Sequence, residues 1–152
     1  MRPSVRQRLA RSCFIVFGLC VALGSALPPA AAEERVIVCF GDSLTAGLGV
    51  APDESYPALL AARLHAAGYR YRVVNAGVSG DTTAGGLRRV DWALRLTPDI
   101  VILALGANDG LRGQDLAGVR ANLDQMVERF QQSGARVLLA GMRLPPNYGR
   151  PY

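Results

Sequence analysis

The sequence predicts an α/β fold, a three-layer α/β/α sandwich around a mostly parallel sheet. Three observations lead there. The 152 residues suit one domain, and half of them are hydrophobic, enough to bury a sizeable core. Short runs that are apolar throughout recur from Val36 onward, and strands of that kind are buried on both faces. Each run is followed by residues at helical spacing or by a turn leading to them, the order a helix-covered parallel sheet requires.

The first 32 residues stand apart from that pattern. Arg2, Arg6, Arg8 and Arg11 make a basic start, and Cys13–Leu27 is an uncharged apolar run of fifteen residues. Pro28–Pro29 breaks the run, and Ala30-Ala31-Ala32 supplies the small residues a signal peptidase reads. Fifteen residues fall short of the ~20 that span a bilayer core as a helix. We therefore read 1–32 as a cleaved signal peptide and 33–152 as the domain. This implies a periplasmic or secreted protein with no stable membrane insertion after cleavage. Leu19, bulky and just before Cys20, argues against a lipid-modified cysteine there. Once Cys13 and Cys20 leave with the signal, Cys39 is the one thiol and no internal disulfide can form. Placed within an apolar run, Cys39 reads as a small core hydrophobe.

In the remainder, Val36–Phe40 reads as the first strand. Tyr56–Ala67 repeats apolar residues at helical spacing and stops at Gly68. Tyr71–Ala76 is the second strand, and Leu87–Leu96 is a helix ending before Thr97-Pro98. Ile100–Leu105 is the third strand. Asp115–Gln132 places Leu116, Val119, Leu123, Met126, Val127 and Phe130 on one helical face, and Val137–Ala140 is the fourth strand.

The formal charge of +5 does not indicate a nucleic-acid partner. Four of the seventeen basic residues precede Glu33, leaving thirteen against twelve acidic ones. Scattered arginines at near neutrality give no electrostatic footprint for DNA, RNA or an anionic membrane.

Ligands of parallel sheets bind beyond the carboxyl ends of the strands. After the first strand comes Gly41-Asp42-Ser43-Leu44-Thr45. After the second comes Asn75-Ala76-Gly77-Val78-Ser79-Gly80-Asp81-Thr82, and after the third Gly106-Ala107-Asn108-Asp109-Gly110. One rim would then hold a hydroxyl, a primary amide and exposed backbone N–H groups. A serine nucleophile attacking an acyl carbon needs this set, because charge developing on the carbonyl oxygen must meet preorganised donors. Taken singly, each segment is also an ordinary strand-to-helix turn, which favours Gly, Ser, Asp and Asn. Competing motifs fail: Pro52 spoils Gly47-Leu48-Gly49 as a dinucleotide loop, the chain has no lysine for a phosphate loop, and Asp81 replaces the last glycine of a G-x-S-x-G elbow at Gly77-Val78-Ser79-Gly80.

The three segments in series resemble the SGNH (GDSL-type) serine hydrolases, in particular their periplasmic acyl-CoA thioesterase I / lysophospholipase L1 and arylesterase branch. Gly-Asp-Ser-Leu-Thr at 41–45 is similar to the family's first block, Asn-Ala-Gly-Val-Ser-Gly-Asp-Thr at 75–82 to its second, and Gly-Ala-Asn-Asp-Gly-Leu-Arg-Gly at 106–113 to its third. The resemblance implies a flavodoxin-like sheet, a nucleophile at Ser43 and oxyanion donors at Gly80 and Asn108. It gives Asp42 and Asp109 the task of holding their turns. Met142–Gly149 is similar to a loop near the acyl-chain pocket, which puts Leu144 and Pro145 at the substrate. The implied substrates are small acyl esters, thioesters or lysophospholipids, turned over by a monomer without cofactor or metal; one histidine and one core cysteine make no credible metal site.

The family's fourth block, Asp-x-x-His, supplies the general base, and no such block occurs in these 152 residues. His65, nine residues after Tyr56, lies about 13 Å along its helix and away from the rim. Two explanations follow. The sequence lacks a C-terminal segment of roughly 50 residues holding the last strand and helices, or it is a shortened, non-catalytic secreted acyl- or lipid-binding protein. The first is favoured, because a missing strand leaves a sheet edge uncovered.

Overall fold

The computed structural model describes residues 34–142. Four parallel strands, β1 (Arg35–Gly41), β2 (Tyr71–Gly77), β3 (Ile100–Ala104) and β4 (Arg136–Leu139), lie in the order β2-β1-β3-β4. The register runs Val38 to Val74 on one side and Val38 to Val101 on the other. The expected α/β class and parallel sheet are what the chain adopts. The expected signal at 1–32, and Leu144 and Pro145, lie outside the described residues.

Two faces of β1 explain the layers. Val36, Val38 and Phe40 point to a core completed by Val101, Leu103, Val90, Met126 and Phe130. This core lies under α3 (Thr83–Leu94) and α5 (Leu116–Gln132), which pack against each other. The Phe40 and Phe130 rings meet edge to face, 5.5 Å between centroids. Cys39, one residue out of phase, turns toward α2 (Tyr56–Ala66), which packs on β2.

Strand order reverses at β1, with β2 on one side and β3 on the other. The loops leaving β1 and β3 diverge there and open a crevice, the place where open α/β sheets bind ligands.

The structure corrects several expected boundaries. The second long helix starts at Thr83, not Leu87, and ends at Leu94. Thr82 caps it, its side chain accepting from the Gly85 N–H at 3.2 Å. Gly85-Gly86 masks this start in the sequence, but the sheet requires Gly86. A Cβ there would run into Leu105 and press on Phe40 and Met126. Two short helices went unforeseen, α1 (Ser43–Ala46) and α4 (Ala107–Leu111). Each is one turn wound directly after a strand, too brief to display a period. The third strand stops at Ala104, the fourth begins at Arg136, and Asp115 caps α5 from outside by accepting from the Gly118 N–H.

Candidate active site

β1 delivers the chain to Gly41, and Asp42 starts the next turn. Asp42 is almost wholly buried and caps α1, its Oδ1 accepting the Leu44 N–H at 3.0 Å. Ser43 follows as the first residue of α1, half-buried. Two glycines let this turn sit down on the sheet. A Cβ on Gly77, at the end of β2, would strike the backbone of Thr45 and Ala46, and one on Gly41 would strike Thr45 and the Ala104 carbonyl. Closeness of approach, not positive φ, demands glycine at both positions.

The segment after β2 closes against the same turn. The Val78 N–H donates to the Gly41 carbonyl at 3.0 Å. Gly80 takes φ +78°, the left-handed region where glycine carries no Cβ penalty. Its carbonyl accepts from Arg112 Nη2 at 2.9 Å.

Asn108, from α4, joins these two turns. Its Nδ2 donates to the Asp81 carbonyl at 2.9 Å and to Asp42 Oδ2 at 3.3 Å. The amide therefore lies between the residue before Ser43 and the residue after Gly80. Asp109, 3% exposed, accepts from both the Thr83 N–H at 2.8 Å and the Thr83 hydroxyl at 2.7 Å. Asn122 of α5 donates to that hydroxyl at 3.1 Å. These bonds pin α4 to α3 and α5, so the asparagine stands on a fixed base. The structure thus brings the segments of Ser43, Gly80 and Asn108 to one rim, with Asp42 and Asp109 bonded inside it.

Other predicted positions lie elsewhere. His65 is exposed in the last turn of α2, the turn that precedes the start of β2, at the opposite end of the sheet. Cys39 is fully buried; burial pushes its thiol up to about 11, opposed by a hydrogen bond with Tyr56, and pushes the Tyr56 phenol up to about 12. Among the described residues no three His, Cys, Asp or Glu side chains are placed to hold a metal ion. Likewise no helix among them is long and apolar enough to cross a membrane.

Two features escaped the sequence reading. One is Arg89 of α3, whose guanidinium bonds Asp81 Oδ2 at 2.7 Å, the Ala76 carbonyl at 2.8 Å and the Gly41 carbonyl at 2.9 Å. The other is an apolar groove of about 280 Å³ beyond the ends of β3 and β4, lined by Leu105, Leu116, Val119, Leu123 and Met142 among others. Its residues come from three separate segments, so no local pattern announces it.

A parallel sandwich with a Gly-Asp-Ser-Leu turn at its switch point defines the class: the fold is that of the SGNH hydrolases. Residues 39–152 match the GDSL-like Lipase/Acylhydrolase family, and the chain belongs to it. Esterase TesA of Pseudomonas aeruginosa is 47% identical over 134 residues, covering 88% of this chain and 66% of that protein. The Thioesterase 1/protease 1/lysophospholipase L1 of Escherichia coli K12 is 39% identical over 123 residues, 80% of this chain and 58% of that protein. Among solved structures, AlinE4, an SGNH-hydrolase family esterase, superposes with a TM-score of 0.74 at 49% identity, covering 79% of this chain and 65% of that one. The chain thus spans about three-fifths to two-thirds of the length of these relatives.

Proposed function

We propose that the domain hydrolyses carboxylic esters or thioesters through an acyl-enzyme on Ser43. The Ser43 Oγ attacks the acyl carbon and gives up its proton, and the carbonyl oxygen takes the negative charge. The N–H groups of Ser43 and Gly80 receive that charge, and the Asn108 amide joins them by giving up its long 3.3 Å bond to Asp42 while keeping the Asp81 carbonyl. The alcohol or thiol leaves with a proton, and water then cleaves the acyl-serine and releases the acid. One observation carries this reading: Asn108 Nδ2 is held between Asp42 and Asp81, one residue from the nucleophile on one side and one from Gly80 on the other.

Proton transfer needs a partner within hydrogen-bond reach of Ser43. His65 is the single histidine of these 152 residues, and it sits at the other end of the sheet. The 152-residue chain alone is therefore expected to turn over poorly. Only the roughly 10³–10⁴-fold gain over water that binding and oxyanion stabilisation supply would remain. The substrate reading stays broad: aryl ester, thioester and lysophospholipid all offer the same acyl group to this rim. The apolar groove beside α4 favours a second reading, a secreted acyl- or lipid-binding protein without turnover. In both readings the protein acts as a monomer, exported with its mature start at or near Glu33, which N-terminal sequencing of exported material checks.

The test is hydrolysis of p-nitrophenyl butyrate by the chain as written and by a version extended with a terminal segment carrying Asp-x-x-His. The extended form is expected to gain turnover that Ser43→Ala removes. Robust turnover by the unextended chain that vanishes in His65→Ala would overturn the assignment of roles.

A further inference from the structure

We propose that Arg89 is a positioning residue that sets the spacing between the Ser43 turn and the Gly80–Asn108 side of the site; the inference rests on the acyl-enzyme reading for its purpose but not for its geometry. Arg89 lies on the sheet side of α3 with its side chain 19% exposed, while the neighbouring Arg88 faces solvent. Its guanidinium lies 3.8 Å over the Phe40 ring, a stacked position that fixes the plane of the fork. From that plane three separate N–H groups reach three acceptors that belong to different segments. Nη2 takes the Gly41 carbonyl, two residues before Ser43. Nη1 takes the Ala76 carbonyl near the end of β2, and Nε takes the Asp81 carboxylate.

Asp81 is the link to the oxyanion side. Its carboxylate, 10% exposed, is gripped by Arg89, and its other oxygen accepts the Thr82 N–H at 3.0 Å. Its backbone carbonyl receives Asn108 Nδ2. Moving the Asp81 side chain therefore moves the acceptor that aims the Asn108 amide, and it moves Gly80 next door. One guanidinium thus reaches the serine turn through Gly41 and the donor side through Asp81. A lysine cannot replace it: its ammonium is a single point and cannot meet three diverging acceptors from a stacked plane.

The experiment compares Arg89→Lys, Arg89→Ala and the control Val90→Ala in the chain extended with a terminal Asp-x-x-His segment, which supplies the base that Ser43 phosphonylation needs. Val90 is fully buried on the same helix and has no side-chain hydrogen-bonding group to offer these acceptors. Side-chain and backbone ¹⁵N spectra report the Asn108 amide and Gly80 N–H directly. Phosphonylation of Ser43 by an alkyl fluorophosphonate, with Oγ–P formed and fluoride lost, reports reactivity by intact mass. In Arg89→Lys the Asn108 and Gly80 signals are expected to shift and the labelling rate to fall by about 10²-fold, the loss associated with misplacement near 1 Å. Methylguanidinium is expected to restore both in Arg89→Ala, and Val90→Ala is expected to lower Tm while leaving both in place. Wild-type signals and labelling rate in folded Arg89→Lys would overturn the proposal. A wild-type chain that takes no phosphonyl group at Ser43 counts against the acyl-enzyme reading, and the spectra then decide Arg89 by themselves.

Discussion

The two ends of the sheet use the same residue types to opposite effect. At the amino end, Asp99 ties strands together: its Oδ2 accepts the Val36 N–H at 2.6 Å, its Oδ1 accepts from Arg35 at 3.3 Å, and its own carbonyl accepts the Arg136 N–H. At the carboxyl end, Asp42, Asp81 and Asp109 also bond backbone N–H groups. There, however, their remaining oxygens engage Asn108, Arg89 and Thr83, side chains from other elements. The amino end uses an aspartate to close a seam between strand starts, and the carboxyl end uses three to hold polar groups at a crevice. What separates the two rims is therefore the partner of the carboxylate's second oxygen: a half-exposed arginine at the amino end, and side chains wholly or partly buried at the crevice at the carboxyl end.

The largest effect is expected at Asn108. In the chain extended with an Asp-x-x-His segment, Asn108→Ala should lower kcat about 10²–10³-fold, the usual loss for one oxyanion donor. A kcat within twofold of the parent would put the donor elsewhere on the rim.

The layer beneath the serine turn offers a pH test. Native Cys39 keeps its proton to about 11, whereas the ordinary value is 9.0. Between those values the unfolded chain binds fewer protons than the native one, so stability must fall as pH rises. Two pKa units correspond to at most about 3 kcal/mol. Urea unfolding at stepped pH is expected to show the decline, and Cys39→Ala to remove its first part, leaving the later part that Tyr56 adds up to about 12. In the native state at neutral pH, Cys39 should also resist an aromatic disulfide reagent.

Glycines sharpen the contrast between the ends. Gly77→Ala forces a methyl into the backbone of α1 and should cost about 1–3 kcal/mol together with Ser43 reactivity. Gly68, at the other end, has φ +78° and open space around it. Gly68→Ala should therefore cost about 1–2 kcal/mol through the backbone and leave Ser43 labelling unchanged. Equal loss of labelling in both would erase the distinction.

The smallest effect is expected at Asp99, whose hydrogen bond from Val36 and neighbouring Arg35 hold its carboxyl below the usual value. That contribution is present above the ordinary carboxylate pKa and is lost as pH falls through the lower native one. With the ion pair half exposed, Asp99→Asn should cost under about 1 kcal/mol, flatten the acid limb of stability and spare activity.

Much of this was legible in the sequence, for identifiable reasons. β1, buried on both faces, writes itself as a continuous apolar run, and the less buried β2, β3 and β4 still carry β-type apolar residues between turn signals, so all four strands could be read to within a residue or two. The turns carrying Ser43, Gly80 and Asn108 follow those runs, and parallel order alone sends them to one end. Gly85-Gly86 hid the first turn of α3, because helix propensity disfavours glycine and only the contact with Phe40, Leu105 and Met126 explains it. Arg88-Arg89 is the clearest limit. The two are chemically identical and adjacent, and only the direction each takes around the helix separates a solvated arginine from one bound to three segments.

The way the serine turn is seated has a consequence for remodelling substrate range. Gly41, Thr45 and Gly77 face inward and leave no volume for variation. Leu44, Leu48, Val50, Val78 and Leu111 instead project from the short helices and loops around it, each 46–72% exposed. Diversity introduced at these five outward positions changes what an incoming molecule meets without touching the seat of Ser43. A library spread evenly across residues 41–50 would spend many of its members on chains that cannot close the turn.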